Sequence, residues 1–207
     1  MSFAAHFPQL VNSIILLAPA GILRSMPDDY ENTFIRFPSL VPASYLRRIV
    51  GKILGVALVI PPVKSELEVS HSRKSFYPDV PAIVQWQFDF HKGFLYSFVN
   101  TIKYGPIMHQ QPDWIKTCSM IRGEIQEAGS APPSKLHNSK LLVIFGDADG
   151  VVVAKEVSED LETLLGGKEH LVVKMVPGGH GFPVPSSEQI IQYISEFWNL
   201  SVIGAVL

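Results

Sequence analysis

Two short turns in this sequence carry residue types that together can move a proton. The first, Gly146–Val152 (GDADGVV), places Asp147 and Asp149 directly after an apolar run. The second, Gly178–Phe182 (GGHGF), places His180 among three glycines after the next apolar run. A carboxylate can accept a hydrogen bond from imidazole Nδ1–H, which fixes the tautomer and stabilises the imidazolium formed when the other ring nitrogen takes a proton. The pair of turns therefore indicates general acid–base chemistry.

The elements around these turns follow the pattern of a parallel α/β sheet. Apolar runs predict strands at 14–18, 140–145 and 170–176, while helical periodicity predicts helices at 154–165 and 186–198. Alternating strands and helices of this spacing imply parallel strands joined by crossover helices. Because the carboxyl ends of parallel strands meet at one edge of a sheet, we expect the two turns to lie together there.

Both turns resemble those of a known family. LLVIFGDADGVV resembles the acid-bearing turn of the α/β-hydrolase family, VPGGHGFPV resembles its histidine turn, and YISEFW fits the helix that follows. The resemblance covers nearly the whole chain and implies that the three strands are the last three of an eight-stranded sheet. It implies that Asp149, favoured over its neighbour Asp147, is the acid of a catalytic triad, and that His180 is the general base. The family's chain order is nucleophile, acid, histidine, so the nucleophile should precede Asp149.

The opening of the sequence bears on that nucleophile. MSFAAHFPQLVNSIILLAPAG resembles the end of the helix that follows the nucleophile, its turn and the next strand. No Gly-x-Ser-x-Gly elbow occurs in residues 1–207, and loss of a triad member removes most of a serine hydrolase's rate. We therefore expect a truncated chain or an incomplete gene model, which alone does not turn over esters. Its strand at 14–18 would be an uncovered edge, which favours self-association.

The middle of the chain falls where this family inserts a cap. We expect residues 1–24 and 135–207 to form an incomplete hydrolase core, and residues 25–134 to form a mostly helical cap and a linker. Aromatic residues one helical turn apart mark the cap, and most of them are expected to hold it together. The candidates for contact with an apolar substrate are Trp86, Phe90 and Phe94 in the cap and Phe182 beside His180.

Composition excludes several other classes of function. The chain has 207 residues, a net charge of −2 and 17% charged residues, and no basic run long enough for nucleic acid. The single Cys118 cannot form an internal disulfide, and no histidines have metal-ligand spacing, so we expect neither a metal nor a cofactor. The apolar stretch Ile53–Val63 is too short for a membrane span. The cytoplasm is the default compartment, unless an upstream targeting segment exists.

The favoured interpretation is the C-terminal part of a capped hydrolase of apolar esters or related acyl compounds. In its parent enzyme an upstream serine attacks the carbonyl, His180 transfers the proton and Asp149 orients His180. Two alternatives remain open at this point. An aspartate nucleophile would make the parent an epoxide hydrolase or a dehalogenase, in which His180 activates water. A chain without a nucleophile would instead be a non-catalytic protein that binds a partner or an apolar ligand under its cap.

Overall fold

The computed structural model divides the chain into two compact units, Met1–Ser25 with Pro106–Leu207, and Met26–Gly105. The predicted linker at 126–134 lies outside the described residues, as does most of the apolar stretch 53–63. The described residues are 1–24, 41–54, 80–91, 93–105, 107, 110–124 and 139–199.

The described elements comprise seven α-helices, one 3₁₀ turn and three strands. In chain order they are α1 (Ser2–His6), the 3₁₀ turn Pro8–Leu10, β1 (Ile14–Leu17), α2 (Ala43–Leu54), α3 (Val80–Phe90), α4 (Phe94–Tyr104), α5 (Gln111–Ile121), β2 (Leu141–Gly146), α6 (Ala154–Leu165), β3 (Leu171–Val176) and α7 (Ser187–Phe197). The described elements thus combine seven helices with three strands in a mixed α/β chain, as the alternation of patterns predicts.

The three strands form one parallel sheet in the order β1-β2-β3. Ile14 of β1 lies opposite Leu141 of β2, which in turn lies opposite Leu171 of β3. All six residues of β2 are buried, because this central strand is covered on both faces and paired on both edges. The predicted strands and their parallel order are thus confirmed, with ends that differ by one residue.

The helices α6 and α7 cover this sheet and end where the sequence predicts. In α6 the buried residues are Val157, Leu161 and Leu165, which share one face, and the helix stops at Gly166 in the left-handed conformation with φ 73°. α7 packs against β2 and β3 through Ile190. A core forms between α7 and the sheet from Leu142, Ile144, Val176, Phe182 and Ile190.

The first unit also contains α5, which packs against both α1 and α6. Its buried residues include Trp114, Thr117 and Cys118. After α5 ends, Arg122 donates a hydrogen bond to the carbonyl oxygen of Leu164 in the last turn of α6, where carbonyls lack partners within the helix. The segment expected to form the cap and linker, 25–134, includes α5, whereas the compact units divide after Gly105 and leave α5 with the first unit. The role of this segment as a hydrolase cap stays a prediction.

The second unit has a core of its own. Leu46 and Val50 of α2, Phe88 of α3 and Val99 of α4 are buried together. An ion pair of 2.7 Å joins Arg47 Nη2 to Asp89 Oδ1, whose side chain is largely buried. The described elements of this unit are all helices, in line with a mostly helical segment.

Two expectations about the surface of the protein, one on a membrane span and one on an exposed strand, concern the described helices and strands. Within it, no helix combines the length and the apolar character needed to cross a bilayer. Among the described strands β1 pairs with β2 alone, and Leu17 at its end is exposed. Self-association through this edge stays a prediction.

Candidate active site at the carboxyl end of the sheet

The two turns singled out in the sequence lie side by side in the structure. β2 ends at Gly146 and β3 ends at Val176, and these two residues are paired in register. Because the strands are parallel, the segments that follow them leave the sheet at the same edge. Asp147 N–H donates to the Val176 carbonyl (2.9 Å) and Ala148 N–H donates to the Gly178 carbonyl (3.0 Å), which extends the pairing past both strand ends.

Glycines permit this close approach at two positions. A Cβ added to Gly146 would clash with the Gly178 carbonyl oxygen and lie 3.0 Å from both the Gly179 carbonyl oxygen and the Phe182 ring. Gly178 itself has φ +121°, a backbone conformation that residues with a side chain rarely adopt. The separation of the two turns is therefore set by backbone atoms in contact.

Asp149 has a buried carboxylate whose two oxygens have different partners. Oδ1 accepts hydrogen bonds from the backbone N–H groups of Val151 (2.8 Å) and Val152 (3.0 Å). Oδ2 lies 2.9 Å from Nδ1 of His180. The side chain of Asp149 has no solvent exposure, whereas that of His180 is 52% exposed. The two backbone donors hold the carboxylate plane so that Oδ2 faces the imidazole.

This arrangement fixes which nitrogen of His180 carries the proton. An ionised carboxylate can only accept hydrogen bonds, so Nδ1–H is the donor to Asp149. In the neutral ring Nε2 is then an acceptor, and it has no hydrogen bond within the described part of the chain. An exposed acceptor nitrogen backed by a carboxylate can take a proton from a hydroxyl group or from water.

Asp147 makes a separate contact that the sequence reasoning missed. Its Oδ1 accepts a hydrogen bond from Gly178 N–H at 2.9 Å. The signal was present in the spacing, because both aspartates bind a group 31 residues further along the chain. The two aspartates thus act on different parts of the same turn, Asp147 on its backbone and Asp149 on its histidine.

The four predicted substrate-binding residues fall into different surroundings. Phe182 is buried in the core between α7 and the sheet. Trp86 and Phe90 are exposed on α3 with ring centroids 6.4 Å apart, and Phe94 packs against the core of the second unit. Of the predicted site residues, the structure brings together Asp149, His180 and Phe182 in one unit. Contact of these four aromatic residues with a substrate stays a prediction.

The other polar side chains of the described residues provide neither a metal site nor a free nucleophile at Ser2. Within the described ranges, no group of three or more His, Cys, Asp or Glu side chains is arranged to hold a metal ion. The hydroxyl of Ser2, in α1, donates to the carboxylate of Asp113 in α5. A surface groove of about 650 Å³ runs beside the histidine turn, lined by Pro177, Gly178, Pro185, Ser186, Glu188, Gln189 and Gln192. Neither Asp149 nor His180 lines that groove.

Comparison with known proteins gives no relative from which to transfer a function. No family model, no curated protein and no solved structure matches this chain at a significant level. The function is therefore inferred from the residues and distances at the carboxyl end of the sheet.

Proposed function

We propose that Asp149 and His180 are the acid and the general base of an acyl hydrolase of the α/β-hydrolase type, which acts on apolar esters or related acyl compounds through a serine nucleophile. A single observation carries the proposal. The fully buried carboxylate of Asp149 lies 2.9 Å from Nδ1 of a half-exposed imidazole, at the carboxyl edge of a parallel sheet. Active residues of open α/β sheets collect at this edge.

The chemistry follows from the free nitrogen of His180. As a serine hydroxyl attacks the ester carbonyl, Nε2 takes the hydroxyl proton, and the Asp149 carboxylate stabilises the resulting imidazolium. The imidazolium then returns that proton to the departing alcohol, which leaves an acyl-serine. In the second half, Nε2 takes a proton from water as the water attacks the acyl-serine, and it returns this proton to the serine as the acid is released.

No serine of the chain is assigned as the nucleophile. Residues 1–207 contain no Gly-x-Ser-x-Gly elbow, and the hydroxyl of Ser2 is bound to Asp113. The 207-residue chain by itself is therefore expected to leave esters unchanged. Asp149 and His180 are therefore assigned as the acid and the base, and the serine is left unassigned.

Taken by itself, the second unit presents apolar side chains along one helix. α3 exposes Ile83, Trp86 and Phe90, which recur at helical spacing along one side of the helix. Exposed rings of this kind favour apolar ligands, since covering them removes apolar surface from water.

A fluorophosphonate probe tests this proposal, because it phosphonylates only an activated serine. The native gene product is captured from its source with an antibody against residues 139–199, from wild-type cells and from edited cells with His180→Ala, Asp149→Asn or His170→Ala. His170 is a matched control, since its Nδ1 also bonds an oxygen, the backbone carbonyl of Ser139 at 2.8 Å. The 207-residue chain, expressed alone, is treated in parallel.

We expect labelling of the wild-type and His170→Ala products, and none of the chain expressed alone. In Asp149→Asn the labelling rate is expected to fall by about 10⁴-fold and in His180→Ala by about 10⁶-fold, as in other triads that lose these groups. A wild-type product that does not label, or a His180→Ala product that labels at the wild-type rate, would reject the proposal.

A further inference from the structure

Asp147 is bound to the backbone of the histidine turn through both its main chain and its side chain. Its N–H donates to the carbonyl of Val176, the last residue of β3, at 2.9 Å. Its Oδ1 accepts from the N–H of Gly178, two residues later, also at 2.9 Å. Asp147 thereby spans the point at which the chain leaves β3.

The residue held in this way has an unusual backbone conformation. Gly178 has φ +121°, a conformation that residues with a side chain rarely adopt, and its N–H is directed at the Asp147 carboxylate. Because the Oδ1 atom of Asp147 accepts this N–H, and the bond would be lost in other conformations, it favours the observed conformation over others that glycine can adopt. His180 is only two residues further along, and its position depends on how the turn is held.

We propose that Asp147 is a positioning residue, whose carboxylate holds Gly178 so that Nδ1 of His180 reaches Asp149. This inference rests on the proposed function for its catalytic meaning, since His180 must be the base for its placement to affect a rate. The placement itself is a property of the folded chain and can be measured without any reaction.

The experiment determines the tautomeric state of His180 from long-range ¹H–¹⁵N spectra of the 207-residue chain, recorded at a pH where the ring is neutral. The variants are Asp147→Ala, which removes the acceptor, and Asp147→Asn, which removes the charge but keeps an oxygen at the Oδ1 position. Asp160→Ala is the matched control, because it removes one carboxylate from α6, where Asp160 pairs with Arg24. The circular dichroism of each variant reports whether it has folded.

We expect the Nδ1–H tautomer to predominate in the wild-type chain, in Asp147→Asn and in Asp160→Ala, and to be lost in Asp147→Ala. A purely structural role for Asp147 would lower stability without changing the tautomer. If Asp147→Ala keeps the Nδ1–H tautomer, or Asp147→Asn loses it, the positioning role is wrong. Should Asp147→Ala fail to fold, a scalar coupling across the bond from Gly178 N–H to the Asp147 carboxylate carbon decides the matter in the wild-type chain, and its absence overturns the inference.

Failure of this inference is distinguishable from failure of the proposed function. A wild-type chain in which His180 is not the Nδ1–H tautomer contradicts the assignment of His180 as the base. A wild-type chain with that tautomer, unchanged in Asp147→Ala, contradicts only the role of Asp147. In the native product, the fluorophosphonate labelling rate is expected to fall about 10-fold to 100-fold in Asp147→Ala, since small misplacements of a catalytic group are costly, and to be retained in Asp147→Asn.

Discussion

Two histidines each link the segment next to β2 with the segment next to β3. One lies at the carboxyl ends of these strands, the carboxyl edge of the sheet, and the other at their amino ends, the amino edge. At the carboxyl edge, Nδ1 of His180 lies 2.9 Å from a carboxylate oxygen of Asp149. At the amino edge, Nδ1 of His170 lies 2.8 Å from the backbone carbonyl oxygen of Ser139. Each pair is separated by 31 residues, because both bonds cross the same two strands. The geometry is nearly the same, and the acceptor differs.

That difference decides which histidine is a candidate base. A backbone carbonyl can orient an imidazole, but it carries no charge with which to stabilise the imidazolium that proton transfer creates. A buried carboxylate does both, and the N–H groups of Val151 and Val152 hold it in place. A histidine in a glycine-rich turn is therefore not sufficient evidence of a catalytic site. A buried carboxylate within hydrogen-bond distance of its Nδ1 is also needed.

The largest effect is expected where the two turns at the carboxyl edge touch. Gly146→Ala places a methyl group against the Gly178 and Gly179 carbonyl oxygens, which are backbone atoms and cannot rotate away. We expect a loss of about 3 kcal/mol in unfolding free energy, at the upper end for overpacking, with displacement of the histidine turn. Urea unfolding followed by circular dichroism measures the loss.

Gly150 provides the control for that substitution. A Cβ added to Gly150 meets nothing within 4 Å, and its φ is not in the left-handed region. Gly150→Ala is therefore expected to change stability by less than about 0.5 kcal/mol. Equal losses of unfolding free energy in the two variants would show that the close contact of Gly146 with the histidine turn is not the cause of the loss.

An intermediate effect is expected from making the two histidines alike. Asp149→Asn keeps an oxygen for the backbone donors but gives His180 a neutral partner, as His170 already has. We expect a loss of about 2 kcal/mol in unfolding free energy, because a hydrogen bond between a carboxylate and a donor is replaced by a weaker one. The amide can also donate to Nδ1, so the Nδ1–H tautomer of His180 should be lost.

His170 serves as the reference within the same spectrum. Its tautomer depends on the Ser139 carbonyl, which Asp149→Asn does not touch. A variant in which His180 keeps the Nδ1–H tautomer and full stability would mean that the carboxylate charge contributes nothing at the carboxyl edge. The contrast between the two histidines would then have no functional meaning.

The sequence predicted those features that depend on neighbours along the chain. The apolar runs of β2 and β3, the apolar face of α6 and its stop at Gly166 are local patterns, and each lies within a residue of its predicted place. The approach of Asp149 to His180 could also be predicted, because the carboxyl ends of adjacent parallel strands meet.

What the sequence did not predict depends on contacts between distant segments. The helix α5 was placed with the cap because it lies in the segment where the family inserts one, and its packing against α1 and α6 becomes evident only once those helices are placed. The bond from Gly178 N–H to Asp147 accompanies a positive φ at this glycine, which residue type permits but does not dictate. Phe182 was expected at a substrate pocket, and its position against Gly146 and Ile190 depends on the same approach of the two turns.

The smallest effect comes from Cys118, and it sets the upper pH limit for comparing the two edges. Burial in α5 raises the pKa of this thiol from its ordinary 9.0 to about 11. Below about pH 8 nearly all of the thiol is protonated in both the folded and the unfolded chains, so it adds almost no pH dependence there. Between pH 9 and 11 the unfolded chain releases it while the folded chain retains it, and stability falls as the pH rises.

The expected loss is about 0.4 kcal/mol at pH 9 and about 1.4 kcal/mol at pH 10, relative to pH 7. Urea unfolding of the wild-type chain and of Cys118→Ala at these three pH values measures it, since the variant lacks the titrating group and should lack this component of the slope. Identical slopes in the two chains would mean that the thiol is ionised as readily in the folded chain as in the unfolded one. If the result is as expected, the unfolding free energies of variants at the carboxyl and amino edges are best compared at or below pH 8. Differences between the two histidines are then not mixed with the titration of Cys118.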